Sequence, residues 1–430
     1  MLKQIAIFDL QVGMFVHKFE GGWFDHPFWK SKFLVEDAEK LAAIKTSRLR
    51  AVVIDTDKGI DAAPRNTGAA SAPSASALPS PAARSPAESR IRSITRRTTA
   101  QLDSPQPVTL AQEVGTAAAI AEQARERLGK TFMSARLGRA LDVRKVEPVV
   151  SDILASVRRN PQAFSGLMRC KLKNEDIFRH AVSVSALMVA LADRMKLTGP
   201  EIHNCGLGGL LLDIGVNYLP QSVDPWVGGR RQQDQPIWQS HVLLGYRALQ
   251  NDDDLPQVVL DACLFHHERM DGSGYPQRSA GEDIPVVARM AAICDSFEFL
   301  LTGTAGRPAL DPAAAVAELR EQSGAFDPEI MRLFIETVGL YPVGSFVVLA
   351  SRKLAMVIDE DREDTLRPVV PAFYSLEMRA RIRPHRIVLA QGNDNERIVG
   401  IADLAGLDLP ADAQLRELVF LSACRSAVNA

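Results

Sequence analysis

The chain has 430 residues, of which 46% are hydrophobic and 24% charged, and its formal net charge at pH 7 is −2. This length allows two or three domains with substantial cores, and the near-neutral charge argues against a dedicated nucleic-acid-binding protein. No apolar run reaches the roughly 18–20 residues that cross a bilayer, and the N-terminus lacks the apolar segment of a signal peptide. Five scattered cysteines without a CxxC pair are typical of reduced thiols. We therefore expect a soluble, cytoplasmic protein without a membrane span.

The first 60 residues predict a small α/β domain. Short apolar runs indicate strands at 5–7 and 14–16, a helix over 35–49 and a closing strand over 51–55. The composition then changes abruptly to Ala, Ser, Pro, Gly and Arg over residues 61–107. Such a segment cannot bury enough apolar surface to fold, so we predict a flexible linker here.

The rest of the chain is predicted to be helical, with a β-rich end. An amphipathic pattern runs from Leu110 to Arg159 with a break at 141–145, and helical segments continue to about residue 340. We therefore predict a helical domain over 108–345. Beyond it, short apolar runs separated by turns predict a small β-rich region over 346–430. That region either packs on the helices as a small domain or forms part of a homodimer contact.

Residues 266–276 have the sequence His-His-Glu-Arg-Met-Asp-Gly-Ser-Gly-Tyr-Pro, a dense set of imidazoles and carboxylates before a glycine-rich turn. Other candidate ligands lie elsewhere in the helical part. Asp176 and His180 are four residues apart, which places both on one face of a predicted helix. Asp213 and Asp295 lie in apolar segments, where a buried carboxylate needs a cation or N–H donors. Taken singly, each residue also fits a core histidine, a helix cap or a salt bridge.

Taken together, these residues resemble the HD-GYP domain, a branch of the HD-superfamily metal-dependent phosphohydrolases. The residues that match in order and rough spacing are His180, Asp213, His241, His266, His267 and Asp295. The resemblance covers about residues 165–350, including the Gly-Tyr-Pro turn. The first 60 residues resemble the small domain of unknown function that often precedes HD-GYP domains. The resemblance implies a mainly α protein built on an HD-type helical bundle.

The resemblance also implies a chemistry. Intact HD-GYP proteins hydrolyse cyclic di-GMP with two or three iron or manganese ions, using a metal-bound hydroxide as the nucleophile. Carried over to this chain, Asp213 would be the catalytic residue that bridges two metals. The other implied ligands are His241, His266 and His267 for one metal, His180 and Asp295 for the other, and Asp176 for a third.

The Gly-Tyr-Pro turn is intact in this chain. The resemblance implies that Gly274, Tyr275, Pro276 and Arg307 contact cyclic di-GMP or a related nucleotide. In the family this turn is also implicated in contacts with GGDEF-type cyclase proteins. A purely structural role for the turn is the open alternative.

Two departures from the family pattern indicate an altered activity. Leu212 stands where the HD motif has its histidine, and Val216 replaces the lysine that usually follows. His203 is a poor substitute for the lost ligand, because it lies nine residues earlier on roughly the opposite helix face. The intact histidine set predicts one site for Fe or Mn, whereas the second site should bind its metal weakly or not at all.

Three functions remain open from the sequence. The first is a degenerate HD-GYP protein of cyclic di-GMP signalling, which binds nucleotide or partner proteins with impaired or lost phosphodiesterase activity. The second is a working cyclic di-GMP phosphodiesterase with an altered metal arrangement. A phosphohydrolase with a different substrate is a third reading.

Overall fold

A computed structural model of the chain describes its fold in two compact units, residues 1–95 and 96–430. The described residues are 2–20, 33–45, 51–60, 106–137, 141–170, 176–220, 236–252, 254–302, 308–322, 324–360, 366–392 and 396–428. The predicted linker over 61–107 lies outside the described residues except for its last two positions.

The first unit is a small antiparallel sheet with one helix among its described residues. Its elements are β1 (Leu2–Ala6), β2 (Phe15–Glu20), β3 (Phe33–Leu34), α1 (Ala38–Lys45) and β4 (Ala51–Asp55), and the strand order is β1-β4-β2-β3. Val52 and Ile54 of β4 are fully buried and lie on the same face of the sheet. They pack with Ile5, Val16 and Ile44 in one apolar core. This confirms the predicted small α/β domain at the N-terminus.

The second unit begins with a helical bundle. Its helices are α2 (Leu110–Arg136), α3 (Glu147–Arg159), α4 (Pro161–Cys170), α5 (Asp176–Arg194), α6 (Gly199–Leu211), α7 (Pro236–Gln239), α8 (His241–Leu249), α9 (Gln257–Phe265), α10 (Val286–Thr302), α11 (Pro312–Glu321) and α12 (Pro328–Val338). Helix α2 begins at a capping box, in which the Thr109 N–H donates to Gln112 Oε1 at 2.9 Å. The predicted break at 141–145 contains a short 3-10 turn, Val143–Lys145.

Helix α5 lies at the centre of the bundle. Nearly every residue from Phe178 to Ala192 is buried, so the helix is covered on all sides and packs against several neighbours. Helices α6 and α10 pack directly on it, and α9 packs on both α6 and α10. This packing brings the end of α6 close to the first turns of α5, where His180 lies 3.4 Å from Asp213.

A five-stranded antiparallel sheet follows the bundle. Its strands are β5 (Phe346–Leu349), β6 (Lys353–Met356), β7 (Val369–Ser375), β8 (Ala380–Val388) and β9 (Ile398–Ile401), in the order β8-β7-β6-β5-β9. The sheet shares its apolar core with Leu110, Ala163 and Cys170 of the bundle. A helix that the sequence analysis did not predict, α13 (Asp412–Val428), completes this core. The predicted fold class, a mainly helical HD-type protein with a small β-rich C-terminal region, is confirmed.

Candidate metal centre

Asp213 lies at the centre of the candidate site, directly after the end of α6. It begins a short 3-10 turn, Ile214–Tyr218, which packs against α8. A Cβ atom on Gly215 would lie 2.6 Å from the Gly245 nitrogen and would also meet the His241 carbonyl oxygen. Only glycine permits this close approach. The turn therefore brings the Asp213 carboxylate to the start of α8.

His241 and His266 are aimed at Asp213 by hydrogen bonds to the backbone. His241 Nδ1 donates to the Trp238 carbonyl oxygen at 2.7 Å, and His266 Nδ1 donates to two carbonyl oxygens of α9 at 3.0 and 3.1 Å. A carbonyl oxygen only accepts, so Nδ1 carries the proton and Nε2 keeps its lone pair. The two Nε2 atoms lie 3.3 and 3.6 Å from Asp213 Oδ1.

His267 completes this first group of ligand atoms. Its ring centroid lies 4.1 Å from that of His266, and its ring stacks on Tyr275 at 4.6 Å. Burial lowers the pKa of His267 well below its ordinary value, and the charge on His266 would lower it further. The imidazole is therefore neutral at pH 7. Its Nε2 atom is buried and finds no hydrogen-bond partner among the described residues.

A second group of ligand atoms shares Asp213. His180 of α5 places its Nε2 atom 3.0 Å from Asp295 Oδ1 and 3.4 Å from Asp213 Oδ2. Within each group the ligand atoms lie within 4.8 Å of one another. Asp213 thus presents Oδ1 to His241 and His266 and Oδ2 to His180, so its carboxylate would bridge metal ions held by the two groups.

The donor set fits a divalent metal ion. The six side chains, two carboxylates and four imidazoles, are each at most 4% exposed. Burying this many polar groups is costly unless they are paired or coordinate a metal. The three imidazoles and one carboxylate of the first group suit Fe, Mn or Zn. The second group, with one imidazole and two carboxylates, is the weaker set.

The loop that carries the Gly-Tyr-Pro sequence lies against His267. The Tyr275 N–H donates to the His267 carbonyl oxygen at 3.2 Å. A Cβ atom on Gly274 would lie 2.5 Å from both the Arg269 nitrogen and the Glu268 Cα atom. Pro276 follows Tyr275 across a cis peptide bond. Gly274, Tyr275 and Pro276 therefore lie beside the first ligand group.

The structure does not describe the side chains of two predicted site residues. Asp176 is the first residue of α5, but its side chain is outside the described structure. Arg307 lies wholly outside the described residues. Their proposed roles, in a third metal site and in phosphate contact, stay predictions.

The two positions that depart from the family pattern are apolar and buried. Leu212 is 1% exposed, and Val216 packs with Leu219 and Trp238 in a small apolar cluster. His203 Nε2 lies 3.4 Å from the Glu147 carbonyl oxygen at the start of α3. His203 therefore faces a different part of the bundle from Asp213.

Trp238 and Arg269 support the site and were not predicted from the sequence. The Trp238 ring centroid lies 4.7 Å from that of the His241 imidazole, and the Trp238 backbone carbonyl oxygen accepts the hydrogen bond from His241 Nδ1. Arg269 donates to the carbonyl oxygen of His266 and to the Ser296 hydroxyl group. Their hydrogen bonds to the histidines use backbone oxygens, which leave no pattern in the side-chain sequence. The sequence signal that could have indicated them is their closeness along the chain to His241 and His267.

Comparison with known proteins places the chain in a family. A Domain of unknown function (DUF3391) matches residues 2–146, and an HD domain matches residues 150–330. The chain is 34% identical over 401 residues to the Cyclic di-GMP phosphodiesterase PA4108 of Pseudomonas aeruginosa, across 93% of this chain and 92% of that relative. The chain therefore belongs to the HD-superfamily cyclic di-GMP phosphodiesterase family, as its resemblance implied.

Two further similarities are more local or more distant. The 3'3'-cGAMP-specific phosphodiesterase 2 of Vibrio cholerae is 34% identical over 159 residues, which are 36% of this chain and 30% of that relative. The solved structure of Bd1817, a HDG"Y"P protein from Bdellovibrio bacteriovorus, is 17% identical. It covers 78% of this chain and 98% of its own, with a TM-score of 0.43. Among the described residues, no helix has the length and apolar character needed to cross a bilayer.

Proposed function

We propose that this chain acts in cyclic di-GMP signalling as a nucleotide-binding or partner-binding member of its family, with impaired or lost phosphodiesterase activity. The observation that carries the proposal is that the two ligand groups differ in the number of histidines they contain. The first keeps three histidines and an aspartate, whereas the second keeps one histidine and two aspartates. The position before Asp213, which would supply the missing imidazole, holds a buried leucine.

The first group would hold an iron or manganese ion. When bound, such an ion polarises a phosphodiester and activates water for attack on phosphorus. Because their Nδ1 protons are fixed by carbonyl oxygens, His241 and His266 would offer Nε2 without rearrangement. The buried Nε2 of His267 supports a third nitrogen ligand at the same place.

The second group would be the cause of the impaired turnover that we propose. Changes outside the ligands themselves typically reduce metal affinity about 10–100-fold, and loss of a ligand costs more. His180, Asp213 and Asp295 would therefore hold a second ion weakly. With the second ion weakly held, the attacking water would be less activated, and the negative charge that develops on the phosphodiester would be less neutralised.

Cyclic di-GMP or a related cyclic dinucleotide is the proposed ligand. The names of the relatives support this class, because they act on cyclic di-GMP and 3'3'-cGAMP. Gly274, Tyr275 and Pro276 lie beside His267, where a nucleotide bound at the metal would reach them. The same loop is the proposed contact for GGDEF-type cyclase proteins, and Arg307 is a proposed phosphate contact. Further proposals are that the chain is cytoplasmic and that a homodimer forms.

An active cyclic di-GMP phosphodiesterase is the second candidate. A near full-length relative with that name favours it. The geometry also leaves Asp213 between both ligand groups, so a second ion bound weakly would still meet the bridging carboxylate. This candidate differs from the first in predicting turnover once both groups are loaded.

Two measurements on the purified chain test the proposal: its Mn(II) content after gel filtration and its binding of cyclic di-GMP in equilibrium dialysis. The purified chain is expected to retain one Mn(II) ion after gel filtration and to bind the nucleotide saturably. H267A should lose the ion, whereas H203A, which removes an imidazole from the other side of α6, should keep it. A chain that holds its ion but binds neither cyclic di-GMP nor 3'3'-cGAMP would contradict the nucleotide-binding role.

A further inference from the structure

We infer that Arg269 is a positioning residue that fixes the separation of the two ligand groups, an inference that rests on the proposed metal-binding function. The residue lies in the 266–276 stretch but has no assigned role there. Its guanidinium group spans the space between the histidine pair and α10, the helix that carries Asp295.

The hydrogen bonds of Arg269 connect the two ligand groups. Nη1 donates to the carbonyl oxygens of His266 and Glu268, at 3.2 and 3.0 Å. Nη2 donates to Ser296 Oγ at 3.1 Å. Ser296 directly follows Asp295 in α10. A single planar group is therefore hydrogen-bonded to the backbone of the first ligand group and to the neighbour of a ligand in the second.

The surroundings of Arg269 hold its guanidinium in place. The group lies over the Phe326 ring, 5.1 Å from its centroid, which is a favourable cation–π contact. Next to it, the Met270 N–H donates to the Ala325 carbonyl oxygen at 2.9 Å. The planar fork of arginine suits such a bridge because its donors point in fixed directions. A lysine would keep the charge and lose this geometry.

These contacts favour positioning over substrate binding. Both terminal nitrogens of Arg269 already donate to protein oxygens, and the ring of Phe326 lies beneath the guanidinium. Asp213 presents one oxygen to each ligand group, so a change in their separation would misplace both sets of ligands. Loss of the Arg269 side chain should therefore lower the affinity of the site for a metal ion.

The test measures Mn(II) affinity by electron paramagnetic resonance, in which the signal of the free ion disappears on binding. We expect R269M and S296A to weaken Mn(II) binding about 10–100-fold, the size typical of contacts that orient metal ligands. S296T, which keeps a hydroxyl group at position 296, should restore most of the affinity. R269K keeps the positive charge but loses the planar arrangement of donors, so it should bind Mn(II) as weakly as R269M.

Arg289 provides the matched control. It lies in α10, the helix that carries Asp295 and Ser296. It donates to the carbonyl oxygens of Ile284 and Glu282 at 2.7 and 3.1 Å and to Asp327 Oδ2 at 3.2 Å. None of these hydrogen bonds, among the residues that the structure describes, reaches a member of either ligand group. R289M should lower thermal stability in the same way as R269M and leave the Mn(II) affinity of the folded protein unchanged.

The outcomes separate this inference from the proposed function. Unchanged Mn(II) affinity in R269M and S296A, or an equal loss in R289M, would overturn the positioning role. A wild-type chain that binds no Mn(II) would also overturn it. A wild-type chain that binds Mn(II) but no cyclic dinucleotide would contradict only the nucleotide-binding role, because the affinity measurement needs no nucleotide.

Discussion

At the scale of single residues, the candidate centre depends on which ring nitrogen of each histidine carries the proton. The backbone decides this for His241 and His266, whose Nδ1 atoms donate to carbonyl oxygens. Burial decides the charge of His267 by lowering its pKa. At position 212, by contrast, the chain has a buried leucine next to Asp213, which belongs to both candidate ligand groups. The candidate site therefore combines a group of three histidines and an aspartate with a smaller group of one histidine and two aspartates.

Leu212→His should add a second metal equivalent. The new imidazole would stand where the family motif has its histidine, next to the carboxylate shared by both ligand groups. We expect the Mn(II) content after gel filtration to rise from one to two ions per chain, with hydrolysis of cyclic di-GMP rising in parallel. Metal analysis of the desalted protein provides the measurement.

Leu211→His is the matched control for this prediction. Leu211 is also fully buried, but its side chain projects about 100° away around the helix. It should gain no second ion. A stoichiometry that stays at one in L212H, with the protein folded, would mean that Leu212 is not what limits the second group.

The sequence predicted the identity of the candidate ligands better than their surroundings. His180, Asp213 and Asp295 are chemically unusual in such apolar segments, so each could be found without a structure. Trp238 and Arg269 could not, because their hydrogen bonds to the histidines use carbonyl oxygens that every residue has. The contact of Arg269 with Ser296 Oγ, by contrast, depends on how α10 packs beside the loop after α9.

At the scale of elements, the loop after α9 is held against the histidine pair by close backbone contact. Gly274 approaches the backbone of residues 267–269 so closely that a methyl group would not fit. Glu268 Oε1 also accepts the Gln277 N–H at 2.7 Å. The turn after Tyr275 is thus fixed by groups that immediately follow the ligand His267.

Gly274→Ala should weaken the candidate metal site without touching a ligand. The added Cβ must push the loop away from His267 and Arg269, and we expect Mn(II) affinity to fall about 10–100-fold. Titration with Mn(II) provides the measurement. Gly115→Ala is the control, since nothing lies within 4 Å of a Cβ at this position in α2. It should keep the affinity and raise stability by roughly 0.5–1 kcal/mol. Equal affinities in G274A and wild type would show that the loop does not support the site.

At the scale of the whole molecule, the C-terminal sheet and the bundle of the second unit are joined by one core. Arg416 of α13 donates to the Gly344 carbonyl oxygen at 2.7 Å and to Asp311 Oδ2 at 3.3 Å. The same Asp311 oxygen accepts the Phe346 N–H at the start of β5. The last helix therefore connects α11 to the sheet.

Helix α13 was not predicted because its sequence lacks a clear apolar stripe. Its buried residues, Leu415, Val419, Phe420 and Cys424, follow helical spacing. Leu418 and Leu421 lie on the exposed side, which blurs the apolar stripe. The preceding β-type runs then favoured reading the whole region as strand. Three of the strands, β5, β6 and β8, could be predicted, because short apolar runs between turns are typical of strands.

Phe420→Ala should destabilise the second unit strongly. Phe420 is 1% exposed in the core shared by sheet and bundle, and truncating a buried phenylalanine typically costs about 3–5 kcal/mol. Leu418→Ala, in the same helix at 53% exposure, should change stability by no more than about 0.5 kcal/mol. Urea denaturation followed by circular dichroism compares the two. Similar small effects in both variants would mean that α13 is not part of the core.

Hydrolysis of cyclic di-GMP by the purified chain, loaded with excess Fe(II) or Mn(II) in the absence of oxygen, tests the central claim most directly. The metal content of the same sample is measured alongside. We predict one bound ion per chain and little or no conversion of the nucleotide. Clear conversion to the linear dinucleotide or GMP would contradict the account, because it would show that the chain turns over without the histidine that Leu212 replaces.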